Sequence, residues 1–450
     1  MRGVRMLAGF VGALALFPVG CARSGPKNDG VKDVQTEVMR RIDGDLQKGD
    51  VASVDPLLTP ASAAQLALGN NPRVKAALED IGIARADVLD AVTLDNPRLG
   101  GAVQWPTQGH GYTLDLEIGQ NIQKLLLMGS RKKFAGVQLE ESQLRTTHEI
   151  LSVASEAEAG YFEAVGARHG AGIDRMIVEA AEASYEFASR QHEAGNLGEL
   201  ELEGERAVLE EAKVRSGDSE LEAAAARERL WRTLGLQDAN GAKFQLPDEL
   251  PPLPEQEPDL DGVEQFSVEN SLDLAVHRKQ VEVMEQALGI TRDWRWLGEV
   301  EIGALAQRER DQTWLIGPTL NVEVPIFGRS KAAIQRETAM LRQRELALID
   351  ATIAVRSDVR MYRQKLFADR QKATRYLDVI IPNRERIVTL SQQQYNYMLI
   401  GVYDVLAAKR EEYQAYREYI DSLRDYWITR AALREAAGGK LPPSKQGEPK

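Results

Sequence analysis

Residues 112–118 read Tyr-Thr-Leu-Asp-Leu-Glu-Ile, and this short stretch decides the fold class. Apolar side chains alternate with Thr, Asp and Glu along it. Alternation with a period of two is typical of a β-strand that has one apolar and one polar face. Three further stretches alternate in the same way, at 99–105, 300–306 and 319–324. The sequence therefore predicts four amphipathic strands, arranged in two pairs.

Two environments explain strands of this kind. One is a membrane barrel with lipid outside and water inside, and the other is a soluble sheet with one buried face. The rest of the chain offers no obvious layer to cover the apolar face, which favours the barrel. Four strands cannot close a barrel, because even eight leave room only for side chains, so several chains would have to pool their strands. Four tryptophans in or beside the strands fit a membrane-interface belt or an ordinary core equally well: Trp105, Trp294, Trp296 and Trp314.

The remainder predicts helices longer than a globular core requires. Residues 130–191 and 330–398 contain no strong helix breaker except Pro382 and some glycines. The last helix carries apolar residues seven apart, which is coiled-coil spacing and predicts close packing against the helix that precedes the turn at Gly401. These residues are Leu406, Tyr413, Ile420 and Trp427, and the other seam position is filled by Tyr416 and Leu423.

The two halves of the chain repeat each other. Asn70 to Ala76 matches Asn270 to Val276 at a shift of 200, and Gly195 matches Gly401 at a shift of 206. Each half reads helix, strand, strand, very long helix, turn, long helix, which is the pattern of an internal duplication. The predicted divisions are a signal peptide (1–20), an irregular and lipidated N-terminal extension (21–58), a first repeat (59–236), a Pro-rich linker (237–265), a second repeat (266–438) and a flexible tail (439–450).

Cys21 is the only cysteine, so an intrachain disulfide is impossible. An apolar stretch at 6–17 and the small residue Gly20 precede it, which resembles a bacterial lipoprotein signal whose cysteine is lipidated. Pro18 stands where such signals carry an aliphatic residue, so ordinary cleavage that leaves a spare thiol is the alternative. Ala22 follows the cysteine, where an Asp would resemble an inner-membrane retention signal. The outer membrane is therefore the favoured location. No other stretch reaches the roughly 18 apolar residues of a spanning helix.

Several motifs resemble those of TolC-type outer-membrane efflux proteins, in the lipoprotein branch that serves RND-type pumps. They are Ala-Leu-Gly-Asn-Asn-Pro-Arg-Val at 67–74, Asp-Asn-Pro-Arg-Leu at 95–99, Val-Pro-Ile-Phe-Gly-Arg at 324–329, and Tyr-Asn-Tyr-Met-Leu-Ile-Gly-Val-Tyr-Asp-Val-Leu-Ala-Ala at 395–408. Each motif is weak alone, but their order and the duplication make the set specific. The resemblance implies a mainly α homotrimer, whose long-helix hairpins form a periplasmic α-barrel and whose chains each give four strands to a shared twelve-stranded transmembrane β-barrel.

The resemblance also implies a function without catalysis. The trimer would be an exit duct in the outer membrane for solutes that an inner-membrane pump passes through a periplasmic adaptor, or membrane fusion protein. No cofactor is implied beyond the lipid on Cys21. The net charge of -12 argues against a nucleic-acid partner, and the five histidines lack metal-ligand spacing.

The tips of the two helical hairpins are the candidate site for adaptor docking. Glycine permits a tight turn and a close approach by another chain, and exposed apolar neighbours favour a partner. A simple chain reversal would explain the glycines but not the apolar residues. The candidate residues are Gly195, Asn196, Leu197, Leu399, Ile400, Gly401 and Val402.

Asp404 matches a position that helps to constrict the pore in the family that the chain resembles. A ring of three such carboxylates would attract cations, whereas the alternative is a solvated acid at a helix N-terminus. Ala407 stands where the family often has a second acid, which weakens a paired acidic ring.

Two other classes of protein compete with the channel. A lipid-anchored periplasmic adaptor would carry β-domains around one hairpin rather than two matched halves. A lipid-anchored structural coiled coil would need no strands. An enzyme fits least, because the sequence has neither a phosphate-binding loop nor a nucleophile elbow.

Overall fold

A computed structural model describes residues 30–41, 57–108, 110–236, 244–255, 260–324 and 329–442. The first half of the chain forms α1 (Val31–Arg41), α2 (Pro60–Asn70), α3 (Pro72–Val92), β1 (Arg98–Gln104), β2 (Thr113–Asn121), α4 (Gln123–Glu193) and α5 (Glu199–Thr233). The second half forms α6 (Val263–Asn270), α7 (Leu272–Asp293), β3 (Val300–Arg308), β4 (Trp314–Val322), α8 (Arg329–Arg375), α9 (Ile381–Asn396) and α10 (Val402–Ala436).

The described residues are mainly helical with one small antiparallel sheet, as the sequence predicted. From α2 onward the order of elements in the first half recurs in the second. The described residues form two compact units, and each unit draws on both halves. The sheet unit contains Gly82–Glu140 and Glu282–Leu341, and the helical unit contains Val34–Ile81, Glu141–Val281 and the chain from Arg342 onward. The boundaries proposed for the sequence repeats stay a prediction.

The sheet unit is built on strands in the order β1-β2-β3-β4, all antiparallel. Leu116 is opposite Gly101 on one side and Ala306 on the other, and Ala306 is opposite Ile316. Since side chains alternate along each strand, this register gathers the apolar residues on one face. Glu117 and Leu305 are partners on the other face.

The apolar face of the sheet is exposed. Leu99 is 81% exposed, Ile316 59% and Leu320 67%. In a soluble single-domain sheet these side chains would be buried against another layer. Where the helices of the same unit do pack, Val88 and Ala91 of α3 form a buried cluster with Ala135 of α4.

The helical unit has its core along α10. Ile420 and Leu423 of the predicted heptad are buried, and so is Tyr426, which the heptad did not include. The rings of Trp427 and Phe162 stack with centroids 5.1 Å apart, so α10 also packs against α4. The predicted contact with the preceding helix is present as well, because the Tyr416 hydroxyl donates to the Glu385 carboxylate of α9 at 2.6 Å.

A helix stands where the sequence suggested an irregular extension. Helix α1 buries Val34 and Val38, four residues apart on one face. Arg41 ends the helix and its Nη1 donates to the carbonyl oxygens of Asn270 at 2.7 Å and Gly438 at 3.0 Å. A short amphipathic helix of this kind is stabilised mainly by tertiary contacts, which is why the surrounding polar sequence concealed it.

The described part of the Pro-rich linker packs closely on the helices. Leu250 and Leu260 are buried, and the indole N–H of Trp427 donates to the carbonyl of Pro251 at 2.9 Å. The linker therefore contributes to the core of the helical unit. None of the helices in the described residues is long and apolar enough to cross a membrane.

The long helix predicted at 330–398 is interrupted once. A π-helical turn at Tyr376–Ile380 separates α8 from α9, and the Ile381 N–H donates to the carbonyl of Tyr376. Pro382 comes next in the chain. It has no N–H to donate to the carbonyl four residues earlier, as an α-helix would require. One widened turn accommodates the proline without breaking the helix.

Candidate functional site

The first hairpin tip joins α4 to α5. The chain leaves α4 through Gly195, whose φ is +72°. Its N–H donates to the His192 carbonyl at 2.8 Å, and the Asn196 N–H donates to the Gln191 carbonyl at 2.9 Å. This pair of bonds is a Schellman motif, which satisfies carbonyls at a helix end and requires a left-handed residue.

The second tip, between α9 and α10, repeats this geometry with a different residue. Met398 has φ +59° and its N–H donates to the Tyr395 carbonyl at 2.8 Å. The Leu399 N–H donates to the Gln394 carbonyl at 2.9 Å. Met398 is therefore the structural counterpart of Gly195. An L-residue with a bulky side chain rarely adopts this conformation.

The two tips align at a shift of 203, not at the 206 that paired Gly195 with Gly401 in the sequence. Gly401 precedes α10 with φ −82°, and Gly198 precedes α5 with φ −72°. Both are N-cap residues in extended backbone, so Gly401 does not occupy the left-handed position of the second turn. The sequence carried a signal for the correct pairing, since an acid follows each N-cap glycine after three residues.

The apolar surface of the tips also differs from the expected one. Leu399 is 72% exposed as predicted, but Leu197 and Ile400 are half-buried. Each of these two stands just before an N-cap glycine, a position from which an apolar side chain folds back onto the first turns of the helix. The exposed apolar residues that sequence reasoning missed are Leu200 (84%), Tyr397 (77%) and Met398 (93%).

Asp404 lies at the start of α10 and caps it. Its Oδ2 accepts a hydrogen bond from the Gly401 N–H at 2.9 Å, and the side chain is exposed. A carboxylate here is favoured by the helix dipole and by an otherwise unpaired N–H group. Glu201 is its counterpart in the first tip, where a side-chain carbon on Gly198 would overlap the Glu201 carboxylate.

The two hairpins pack against each other just inside the tips. The rings of Phe187 and Tyr403 meet edge to face with centroids 5.6 Å apart. Glu205 accepts from the Ser184 hydroxyl at 2.6 Å and from Arg410 at 3.4 Å, so one carboxylate joins α4, α5 and α10. Burial, together with the charge of Glu205, raises the pKa of the Tyr403 hydroxyl.

A second polar contact joins the same helices farther along. The Asp174 carboxylate accepts from the Ser219 hydroxyl at 2.5 Å and from Arg417 Nε at 3.2 Å. Arg417 also pairs with Asp421 on its own helix. Its guanidinium lies against Gly170 of α4, where a side-chain carbon would come within 2.6 Å of the guanidinium carbon. Burial of this charge is offset by its two carboxylate partners, and the pKa of Arg417 is raised.

The lipidation site and the metal question concern residues other than the tips. Cys21 falls outside the described residues, so its modification stays a prediction. Within the described ranges, no three His, Cys, Asp or Glu side chains are grouped as a metal site. The tips hold exposed apolar and capping groups.

A family model matches most of the second half of the chain. Residues 265–439 match the family model described as Outer membrane efflux protein. None of the curated proteins compared with the sequence matches it.

Solved structures share the fold over most of the chain. A membrane protein from Pseudomonas aeruginosa is 17% identical, with a TM-score of 0.71 over 85% of this chain and 90% of that one. The CmeC outer membrane channel of Campylobacter jejuni is 16% identical, with a TM-score of 0.69 over 90% of both chains. The outer membrane protein VceC of Vibrio cholerae is 13% identical, with a TM-score of 0.68 over 85% of this chain and 97% of that one. The predicted resemblance to TolC-type outer-membrane efflux proteins is thereby confirmed.

Proposed function

We propose that the protein is a subunit of an outer-membrane efflux channel. Three copies would form the duct, each giving four strands to a twelve-stranded transmembrane barrel and its helical hairpins to a periplasmic tunnel. The duct would receive solutes from an inner-membrane pump, of the RND type, through a periplasmic adaptor. The subunit would do no chemistry, and energy would come from the pump.

The exposed apolar face of the sheet is the observation that carries this proposal. Its strands present apolar residues on one face and Asp115, Glu117 and Glu301 on the other. Lipid would cover the first face and water the second. Exposed tryptophans lie toward both ends of the strands, with Trp105 73% exposed at one end and Trp296 65% exposed at the other. A soluble adaptor or coiled coil would not present such a sheet.

Recovery of the assembled protein tests the proposal directly. Outer-membrane fractions should yield a trimer that resists dissociation by detergent until it is heated, because strands shared between chains leave no free edge. Trypsin treatment of intact cells and of separated membranes locates the protein independently. A monomer in the soluble periplasmic fraction would refute the channel.

We propose the hairpin tips as the adaptor-docking surface. The surface comprises the predicted residues together with Leu200, Tyr397 and Met398, whose exposed apolar area is best explained by a partner. Met398→Glu, Gly401→Glu and Ile400→Glu should abolish export while the trimer still assembles. Gln392→Glu adds the same charge to an exposed position of α9 before the tip and should leave export unchanged. Normal export by the three tip variants would remove the docking proposal.

Asp404 is proposed to line the narrowest part of the mouth, where three copies would bring three carboxylates together. Its bond to the Gly401 N–H gives it a capping role that does not depend on the trimer. Asp404→Asn keeps an acceptor for the cap and removes the charge. In planar bilayers it should reduce selectivity for cations, and unchanged selectivity would assign Asp404 to capping alone.

Lipidation of Cys21 is proposed from the sequence alone. Radioactive palmitate should label the wild-type protein and not Cys21→Ser. Equal labelling of both proteins would refute the lipid anchor without affecting the channel, since the strands supply a separate membrane attachment.

A further inference from the structure

Arg308 stands on the wrong face of the sheet for a charged residue. Val300, Ile302, Ala304 and Ala306 precede it at every second position of β3, so alternation directs Arg308 to the apolar face. Its register partners are Leu114 on β2 and Trp314 on β4. In the proposed channel this face meets lipid, where a lone guanidinium is poorly tolerated except near the membrane interface.

Aromatic residues lie at the same end of the sheet as this arginine. Arg308 Nη1 donates to the Tyr112 hydroxyl at 2.7 Å, and the guanidinium carbon lies 5.4 Å from the centre of the Tyr112 ring. Tyr112 is 42% exposed, Trp314 37% and Trp105 73%. Tyrosine and tryptophan with an apolar body and a polar edge mark the level of lipid headgroups.

The charges near Arg308 do not neutralise it on this face. Glu309 follows it in the chain, so alternation sends that carboxylate to the opposite face. Asp311 accepts a hydrogen bond from the Thr313 N–H at 2.9 Å within the β3–β4 turn, and this bond lowers the pKa of the Asp311 carboxyl. Arg310 lies with its Cβ and Cγ atoms near Gly111, the residue before Tyr112.

We propose that Arg308, Tyr112 and Trp314 form a binding site for the phosphate of an anionic lipid headgroup. A guanidinium carries five donors in a planar fork that matches phosphate, and one hydrogen bond to Tyr112 uses one of them. The Tyr112 hydroxyl accepts from Arg308 and keeps its own proton for a phosphate oxygen. The acyl chains then lie along the apolar face toward Ile316. This inference rests on the proposed membrane location of the sheet.

Lipid retention by the purified trimer tests the site. Native mass spectrometry would compare phosphatidylglycerol with phosphatidylcholine of identical acyl chains. The wild-type protein should retain phosphatidylglycerol preferentially, and Arg308→Gln should weaken that retention by roughly tenfold, because charge-assisted hydrogen bonds are lost. Arg308→Lys should keep part of the preference, and Tyr112→Phe should show a smaller loss.

Arg98 provides a matched control. It lies on β1, on the polar face and at the opposite end of the sheet, 3.8 Å from Glu299. Arg98→Gln should leave the lipid preference unchanged. An equal loss in this variant, or equal retention of the two lipids by the wild type, would overturn the site. Displacement of the lipid by millimolar inorganic phosphate would show an anion site without lipid and would also overturn it.

The channel and the lipid site can fail separately. Trimer recovery from outer membranes is measured for the wild type and for Arg308→Gln in the same experiment. If both assemble there without any preference for the anionic lipid, only the lipid site is refuted. If the wild type is absent from the membrane, the proposed function fails.

Discussion

At the scale of single residues, Met398 is one of two described non-glycine residues with a left-handed backbone, the other being Gln312. A left-handed conformation costs an L-residue roughly 1–2 kcal/mol, and Gly195 avoids this cost at the equivalent position of the first tip. Met398 is 93% exposed, so burial within its own chain does not offset the strain. A strained, exposed apolar residue at the end of a hairpin supports the proposal that a partner docks at this tip.

The contrasting backbones of Gly195 and Gly401 give a prediction about stability. Gly195→Ala should destabilise the first tip by about 1 kcal/mol, because alanine resists a φ of +72° although space around it is open. Gly401→Ala should have little effect, since its φ is −82° and an added carbon would lie 3.6 Å from the Asp404 carboxylate. Thermal unfolding followed by circular dichroism would compare the two. Similar losses of Tm would contradict this account of the tips.

The sequence located these tips but assigned their parts incorrectly. Glycine and apolar residues were sufficient to mark both chain reversals. The pairing of Gly195 with Gly401 was wrong because it matched one glycine with another. The left-handed position of the second tip is held by Met398, not by a glycine. The half-burial of Leu197 and Ile400 depends on how the chain enters the next helix, which composition does not show.

At the scale of elements, α4 and α10 approach each other at two glycines of α4. Gly170 lies against the guanidinium of Arg417, and Gly166 lies against the stem of Arg424. They are four residues apart and share one face of α4, while the arginines are seven apart on α10. Arg424 is anchored through Asp421 at 2.9 Å. Small residues on one helix therefore admit long charged side chains from the other.

This packing predicts opposite effects for two similar substitutions in α4. Gly166→Ala should lower Tm, because the added carbon would lie 2.9–3.0 Å from the Cβ, Cγ and Cδ atoms of Arg424. Gly172→Ala meets no atom within 4 Å and should stabilise the helix by roughly 0.5–1 kcal/mol through its higher helix propensity. The two variants would be compared by thermal unfolding. A rise in Tm for both variants would show that the Arg424 side chain of α10 moves aside at little cost.

Periodicity predicted these elements well where packing is regular. The heptad of α10 correctly indicated Ile420 and Leu423 as buried positions. The π-helical turn before Pro382 was not predicted, because a proline in a long helix is accommodated in several ways and the surrounding helices decide which one occurs. Helix α1 was missed for a similar reason, since its stability comes from contacts such as those of Arg41.

At the scale of the whole molecule, the half-buried His169 is expected to couple stability to pH. Burial lowers the pKa of His169, the Arg417 charge lowers it further, and the carboxylates of Glu249 and Asp248 oppose both. The folded protein therefore takes up a proton on His169 less readily than the unfolded chain. Stability should fall as the pH drops below the unfolded value of about 6.5 and level off below the folded pKa.

Acid also protonates carboxylates, so the contribution of His169 is measured by comparing the change in Tm between variants. Between pH 7 and pH 5, His169→Gln should lose less Tm than the wild type. His110→Gln removes a histidine from the β1–β2 connection and should follow the wild type. Parallel curves for all three proteins would show that His169 does not contribute to acid sensitivity.

The architecture of the sheet was the most predictable feature of the molecule. Period-two alternation determined the strands and their faces without any knowledge of partners. The sequence pattern placed the start of β4 at 319, whereas the strand begins at Trp314. Gly317 and Pro318 interrupt the alternation, and only their pairing with β3 shows that they belong to the strand. Whether lipid or protein covers the apolar face depends on the assembly, so the sequence of one chain does not reveal it.

Two neighbouring residues of β4 can distinguish lipid from water on that face. Ile316 lies on the apolar face and is 59% exposed, and Leu315 lies on the opposite face and is 49% exposed. A sheet of one soluble chain would tolerate lysine at both positions. In the proposed channel, Ile316→Lys would place a charge in lipid at about 2–4 kcal/mol near the midplane, less toward an interface, whereas Leu315→Lys would place it in water. The yield of heat-resistant trimer in outer membranes should therefore fall for Ile316→Lys and stay near wild type for Leu315→Lys, and equal yields from the two variants would contradict a lipid-covered face.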